Sequence, residues 1–237
     1  GVVGLGGMGG GFGPDLLPTP ANADDDEFNG TTLASSWQLF GAALQAGDPS
    51  RGATIVGPNV VRVSQTLRTG WLLFQPDASA YFSKLLSTPM TQGAIYCKFS
   101  MDANDSVGPD AFGLLLCQST AGNIDIDNAV SVSILRSTAD FTWTVKAEKR
   151  VAGVSTTVYS KTLDSLVQPF DRIQINRNGG NVLFFIGSEA GGMKYLGTIA
   201  AAINPDRVAM AGFNTGGPST IYGLDYIRRV DGVNPTV

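Results

Sequence analysis

Residues 170–188 read FDRIQINRNGGNVLFFIGS, and this stretch specifies a β-hairpin. Ile173, Ile175 and Arg177 alternate with Arg172, Gln174 and Asn176 at the two-residue period of a strand, Asn178-Gly179 supplies a turn that accepts positive φ, and an apolar run follows. An antiparallel sheet must accommodate this segment. Similar alternating or apolar runs, separated by turn residues, occur at 54–66, 71–75, 80–86, 93–101, 111–119, 129–136, 141–148, 154–161, 194–199, 208–214 and 221–229. Strands of this number and spacing predict an all-β, two-layer sandwich. No stretch sustains a 3.6-residue period, so the one helical turn expected lies near Leu163–Leu166.

The 30 glycines suit tight turns between short strands, and a chain of 237 residues with 43% apolar residues buries a full core as one domain. A net charge of −4 offers no basic patch for phosphate backbones, which argues against nucleic acid as a partner. No apolar run reaches the length of a membrane-spanning helix, and the start lacks the basic region of a signal peptide. The chain begins at Gly1 rather than Met, which leaves open a processed leader or a missing start.

Cys97 and Cys117 are too few for a disulfide framework and match no zinc spacing; they are expected on adjacent strands, either as buried free thiols or as one cross-strand bridge. The chain has no histidine, which removes the usual general base, the usual metal ligand and every Ser-His or Cys-His pair.

Residues 1–13, GVVGLGGMGGGFG, are followed by Pro14, Pro18 and Pro20, so 1–23 reads as a Gly/Pro-rich arm ahead of a domain at 24–237. Its Gly4-x-Gly6-x-x-Gly9 resembles a dinucleotide fingerprint, but neither the strand before it nor the helix after it is present. An arm this rich in glycine loses much entropy on ordering, so Val2, Val3, Leu5, Met8, Phe12, Leu16 and Leu17 are expected to lie against another surface. A neighbouring subunit, as in a homo-oligomeric assembly, is one such surface, and the chain's own domain is the simpler one.

The segments DDEFNGTTLASSWQ, DRIQINRNGGNVLFFIGSEAG, VAMAGFNTGG and YGLDYIRRV resemble the concanavalin A-like jelly-roll superfamily, in particular laminin-G and lectin-like accessory domains, from Asp24 to about Val230. The resemblance implies a two-sheet antiparallel jelly-roll sandwich. It also implies that a structural calcium could sit where the first and last strands meet, which by position involves Asp26 or Glu27 with Asp225; no other cofactor is implied. The simpler reading of residues 24–27 is a solvated charge run. The hydrolases of the superfamily carry closely alternating carboxylates on one strand. This chain has no Glu-x-Asp-x-Glu, and its nearest pair, Asp125 and Asp127, is flanked by loop-forming residues.

Glycan recognition needs an aromatic platform beside hydrogen-bonding groups. Alternation turns Val132, Ile134, Phe141, Trp143 and Val145 toward the core, with Ser131, Ser133, Thr142, Thr144 and Lys146 facing the other way. The expected glycan-binding set is Lys146, Arg172, Gln174 and Asn176, with Tyr159 as the ring, while Trp37, Trp71 and Trp143 are expected in the core. The simpler alternative is a merely solvated sheet face. The arm, the resemblance and the missing catalytic pattern together predict a non-enzymatic structural or adhesive virion protein of a bacteriophage, with a lectin-like domain for surface glycans. The alternatives are a carbohydrate-binding accessory module of a secreted, extracellular enzyme and, behind it, a glycoside hydrolase.

Overall fold

The computed structural model describes residues 22–28, 33–40, 54–56, 60–61, 67–68, 71–74, 79–102, 110–121, 123–137, 140, 142–165, 168–188, 191–214 and 221–232. The expected arm residues Val2, Val3, Leu5, Met8, Phe12, Leu16 and Leu17 lie outside them.

Every regular element among the described residues is a strand: β1 (Trp37–Phe40), β2 (Thr54–Val56), β3 (Val60–Val61), β4 (Leu67–Arg68), β5 (Trp71–Phe74), β6 (Ser79–Leu85), β7 (Gln92–Asp102) and β8 (Asp110–Thr120). There follow β9 (Asn123–Arg136), β10 (Thr142–Val151), β11 (Val154–Asp164), β12 (Arg172–Asn178), β13 (Asn181–Ser188), β14 (Gly192–Ala200), β15 (Arg207–Asn214) and β16 (Ile221–Asp231). Sheet I runs β14-β13-β12-β7-β16-β5-β2, sheet II runs β1-β6-β15-β8-β9-β10-β11, and β3 pairs with β4. The pairings are antiparallel throughout, and the molecule is the expected all-β sandwich.

The two inner faces interdigitate as alternation requires. Ile95, Cys97, Phe99 and Met101 of β7 and Ile173 and Ile175 of β12 meet Phe112, Leu114 and Leu116 of β8 and Val130, Val132 and Ile134 of β9 in one buried cluster. Phe99 stacks on Phe112 across the gap with centroids 4.4 Å apart. Trp37 and Trp143 are buried as expected; the Trp71 and Phe141 side chains lie outside the described set.

Several local expectations shift. Asn178 still pairs with Asn181, so the hairpin turn is Gly179-Gly180, with Gly179 at φ +58°. The expected helical turn is absent at Leu163 and Asp164, which extend β11, while Leu166 lies outside the described residues. Asp125 and Asp127, expected in a loop, belong to β9, whose pairing with β8 shifts register beside them. The thiols are both buried and free, but β7 and β8 lie in opposite sheets, so no cross-strand bridge is available. Burial raises the pKa of both, that of Cys117 to about 12.

Candidate functional site

The outer face of sheet I collects the chain's most unusual chemistry. Register aligns Tyr195 of β14, Phe185 of β13, Gln174 of β12, Tyr96 of β7 and Arg228 of β16 in one row across five strands. The next row holds Met193, Gly187, Arg172, Lys98 and Tyr226, and the row on the other side includes Leu183, Asn176 and Ala94. Alternation puts these side chains on the face opposite the core, because their strand neighbours Ile95, Cys97, Ile173, Ile175, Phe184 and Ile186 form it.

An outer sheet face is ordinarily solvated, and this one is not. Gln174 and Asn176 are 0% exposed, and Tyr96, Phe185, Arg172 and Tyr226 are buried as well. The rings make specific contacts: Phe185 and Tyr195 have centroids 5.5 Å apart, and Tyr96 meets Tyr226 edge to face at 6.2 Å. The Arg228 guanidinium lies 4.1 Å from the Tyr226 ring centroid and is held in place by a bidentate pair with Glu27, at 2.6 and 2.9 Å. Burial raises the Tyr96 phenol pKa, opposed in part by Arg228, while the Glu27 hydrogen bond raises that of Arg228.

The centre of the face is a pair of side-chain amides. Gln174 Nε2 donates to Asn176 Oδ1 at 2.7 Å, and the remaining Gln174 Oε1 and Asn176 Nδ2 have no hydrogen-bond partner among the described residues. Exchanging O and N in both groups leaves the same remainder, one carbonyl acceptor and one NH₂ donor. Buried polar groups are almost always satisfied, and an unmet amide costs about 1–3 kcal/mol, so this remainder is a polar cost at the centre of the face. Solvent reaches the face along a rim where Lys98 pairs with Asp225 at 3.2 Å and Arg228 pairs with Glu27; these four side chains are 21%, 26%, 24% and 42% exposed.

The expected glycan set therefore divides. Arg172, Gln174 and Asn176 are together on sheet I. Lys146 stands on the outer face of sheet II, paired with Glu148 at 2.6 Å, and Tyr159 packs against the core cluster at the edge between the sheets. Parity in a strand indicates which face of its own sheet a residue occupies, but not which sheet the strand joins. The chain changes sheets between β11 and β12, so β10 and β12 present their polar faces on opposite sides of the molecule. Tyr96, Lys98, Tyr226 and Arg228 were missed: alternation in 93–101 places Tyr96 and Lys98 opposite the apolar parity, whereas Tyr226 and Arg228 share the parity of the core residues Tyr222 and Leu224 and are turned outward only by the register shift between Leu224 and Tyr226.

The carboxylates expected at a calcium site have other partners. Asp26 accepts hydrogen bonds from the Phe28 amide at 2.8 Å and the Trp37 indole at 2.7 Å, Glu27 engages Arg228, and Asp225 engages Lys98. Among the described residues no three His, Cys, Asp or Glu side chains gather as a metal-ligand group. The run is not simply solvated either. Asp24 and Arg229 form an ion pair at 2.6 Å, Asp25 accepts the Arg229 amide at 2.7 Å, and Asp26 bridges Ile227 through paired backbone hydrogen bonds. Of the pair considered for hydrolysis, Asp125 accepts from the Asp127 amide and the Asn128 side chain, and Asp127 pairs with Arg150 at 3.0 Å.

No protein-family model and no curated protein matches the sequence. Solved structures do match the fold. The chain is similar to the xylan β-1,4-xylosidase from Bacillus halodurans C-125 at a TM-score of 0.61 and 13% identity, over 92% of this chain but 41% of that one. It thus spans about two fifths of the length of that xylosidase and of the GH43 protein BlXynB from Bacillus licheniformis, which it also matches. It matches the laminarinase from Rhodothermus marinus at a TM-score of 0.56 and 12% identity, over 92% of this chain and all of that one. It matches the carbohydrate recognition domain of Emp47p at 0.58 and 8% identity, over 88% and 94%. At such identities the likeness establishes the fold. The expectation of a non-enzymatic protein is corrected by the same comparison, because glycoside hydrolases stand among the proteins sharing this fold over nearly their whole length. A missing sequence pattern in one family does not exclude enzymatic chemistry on a fold that carries it elsewhere. The chain has the concanavalin A-like sandwich fold that its sequence segments resemble.

Proposed function

We propose that this chain is a carbohydrate-binding domain whose sugar contacts come from the outer face of sheet I. The observation carrying the proposal is the Gln174–Asn176 amide pair, buried between aromatic rings with one acceptor and one donor unfilled. A sugar hydroxyl both donates and accepts, so it complements that remainder, and the half-buried ring of Tyr195 in the same row offers a platform for the apolar face of a pyranose. Arg228, fixed by Glu27 at the solvent-reached rim, orients hydroxyls of the entering unit. The carbohydrate-related fold neighbours support the reading.

A glycan array followed by calorimetry tests it. Arg228→Ala and Tyr195→Ala should each weaken the best-bound oligosaccharide about tenfold, Gln174→Ala should abolish binding, and Lys146→Ala on the other sheet should leave it unchanged. Loss with Lys146→Ala alone, or no binding across the array, would overturn the assignment. Release of reducing ends from the bound glycan, measured in the same preparation, would make the domain catalytic, and Asp225 and Glu27 are the carboxylates bordering the face.

We propose further that the chain joins an assembly through the Gly/Pro-rich residues 1–23, as in a phage virion or, alternatively, at an extracellular surface. Light scattering of the chain with and without those residues tests it, and an unchanged monomeric mass in both rejects it.

A further inference from the structure

The outer face of sheet I is buried, yet no described strand packs over it. Tyr96, Gln174, Asn176 and Phe185 are closed to solvent, and Arg172 and Leu183 nearly so. Beyond their own sheet, the described strands that β7, β12 and β13 chiefly pack against are β8 and β9, and these meet them across the core, on the opposite side. The face therefore has a cover that the two sheets do not supply, and its side chains define what fits.

The Gln174–Asn176 remainder is one acceptor and one donor, which a single peptide group of a crossing chain meets, provided that its backbone comes close. Tyr96, Leu183 and Phe185 add apolar surface, and Arg172 puts a positive charge at the middle of the row. Residues 1–21 have the matching chemistry: glycines throughout 1–13, apolar residues between them, and Asp15 as the only charge. They also reach the domain at the right place. Asn22 Nδ2 donates to Asp231 at 3.0 Å, and Asp26 bridges Ile227 of β16, beside Arg228 on the rim. An extended chain of this length reaches roughly 70 Å, and the five strands of the row span about 19 Å. The 41–53, 103–109 and 215–220 connections, by contrast, each have to carry the chain from one sheet to the other.

We infer that the outer face of sheet I is the seat of the chain's own residues 1–21, which a glycan displaces to reach the amide pair. The seat stands on burial, charge and reach alone; the displacement rests on the sugar-binding reading of the face. The segment is then a built-in competitor: it keeps the amide pair from costing the resting protein its missing hydrogen bonds, and the part of the binding energy spent on releasing it lowers the apparent affinity for sugar. Exchange of the same segment with a second copy is a route to the assembly proposed above.

A nitroxide on Met8→Cys in the full, isotope-labelled chain tests the seat by paramagnetic broadening in NMR; Cys97 and Cys117 are buried, with thiol pKa values raised, so the new thiol is the one that reacts. Signals of Tyr96, Gln174, Asn176 and Phe185 should lose at least twice as much intensity as those of Ser131 and Ser133 on the outer face of sheet II, and Asp15→Lys should at least halve that loss. Broadening that is uniform, or that favours sheet II, would overturn the seat. So would broadening as strong between chains, in a mixture of nitroxide-bearing and isotope-labelled copies, as within one. Saturation with the best-bound oligosaccharide of the array should restore at least half of the lost intensity, and undiminished broadening would overturn the displacement. Sugar bound at the face of a chain that shows no broadening overturns this inference alone, whereas broadening in a chain that binds no glycan overturns the sugar assignment alone.

Discussion

Replacing Asp24 with Ala tests how the start of the domain is fastened to its last strand. Asp24 and Arg229 side chains are 2% and 3% exposed, and the Arg229 guanidinium gives Asp24 Oδ2 a 2.6 Å hydrogen bond. Asp24 also accepts from the Ser87 amide at 2.8 Å and hydroxyl at 3.0 Å. Removing one partner of a buried pair strands the other charge, at a typical cost of about 3–5 kcal/mol. Arg229 keeps its Nε bond to the half-exposed Asp231 at 2.7 Å and its bond to the Thr88 carbonyl at 2.7 Å, so the lower end applies, about 3 kcal/mol. For a domain of this size that corresponds to a fall in Tm of roughly 6–12 °C. Urea unfolding of Asp24→Ala, Arg229→Met and the double variant measures the coupling. The double variant should recover about 2 kcal/mol relative to the sum of the singles, because no charge is left stranded. A loss below about 0.5 kcal/mol for Asp24→Ala, or strict additivity, would show that the pair does not fasten the two segments.

Two glycines should separate by the space around them. Gly93→Ala, at φ +146° with the added Cβ 2.2 Å from the Val230 carbonyl, should cost at least about 3 kcal/mol in urea unfolding, whereas Gly179→Ala, at φ +58° with no atom within 4 Å, should cost about 1 kcal/mol. Comparable losses would show that the β7–β16 contact yields. The Asp25 carboxyl has its pKa raised above 3.8, chiefly by burial, so the folded state holds that proton more tightly than the unfolded state and this group's contribution to stability declines as pH rises through the window above 3.8. Asp25→Asn keeps an acceptor for the Arg229 amide and removes that decline. Its stability should therefore gain on the parent's between acid and neutral pH, and an unfolding series in which it loses ground would reverse the sign.

The sandwich was legible because alternation and turn chemistry are local, and 170–188 carries both. Even the turn's displacement to Gly179-Gly180 leaves the strands and their faces unchanged. The outward parity of Arg172, Gln174 and Asn176 was legible for the same reason. Their burial was not, since it depends on what packs against a face rather than on the strand itself. Lys146 and Tyr159 were grouped with them because neighbours in sequence were taken as neighbours in space, and the crossing between β11 and β12 breaks that equivalence. The acidic run at 24–27 shows the same limit. Carboxylates suited to calcium are equally suited to arginine, and only the pairing of Asp26 with Ile227 brings Arg228 and Arg229 within reach of their partners.

The position of β16 has a consequence for how the molecule is made. It is the last described strand in sequence, yet it lies inside sheet I between β7 and β5, with the 22–28 segment bridged to it. During synthesis one flank of β7 therefore stays unpaired, and Lys98, Asp24 and Glu27 lack their partners, until residues 221–231 emerge. Such closure late in the chain joins segments about 200 residues apart, which slows folding and lengthens the interval in which a bare strand edge can recruit another chain. The yield of folded protein should then depend more on the rate and temperature of expression than its final stability would suggest.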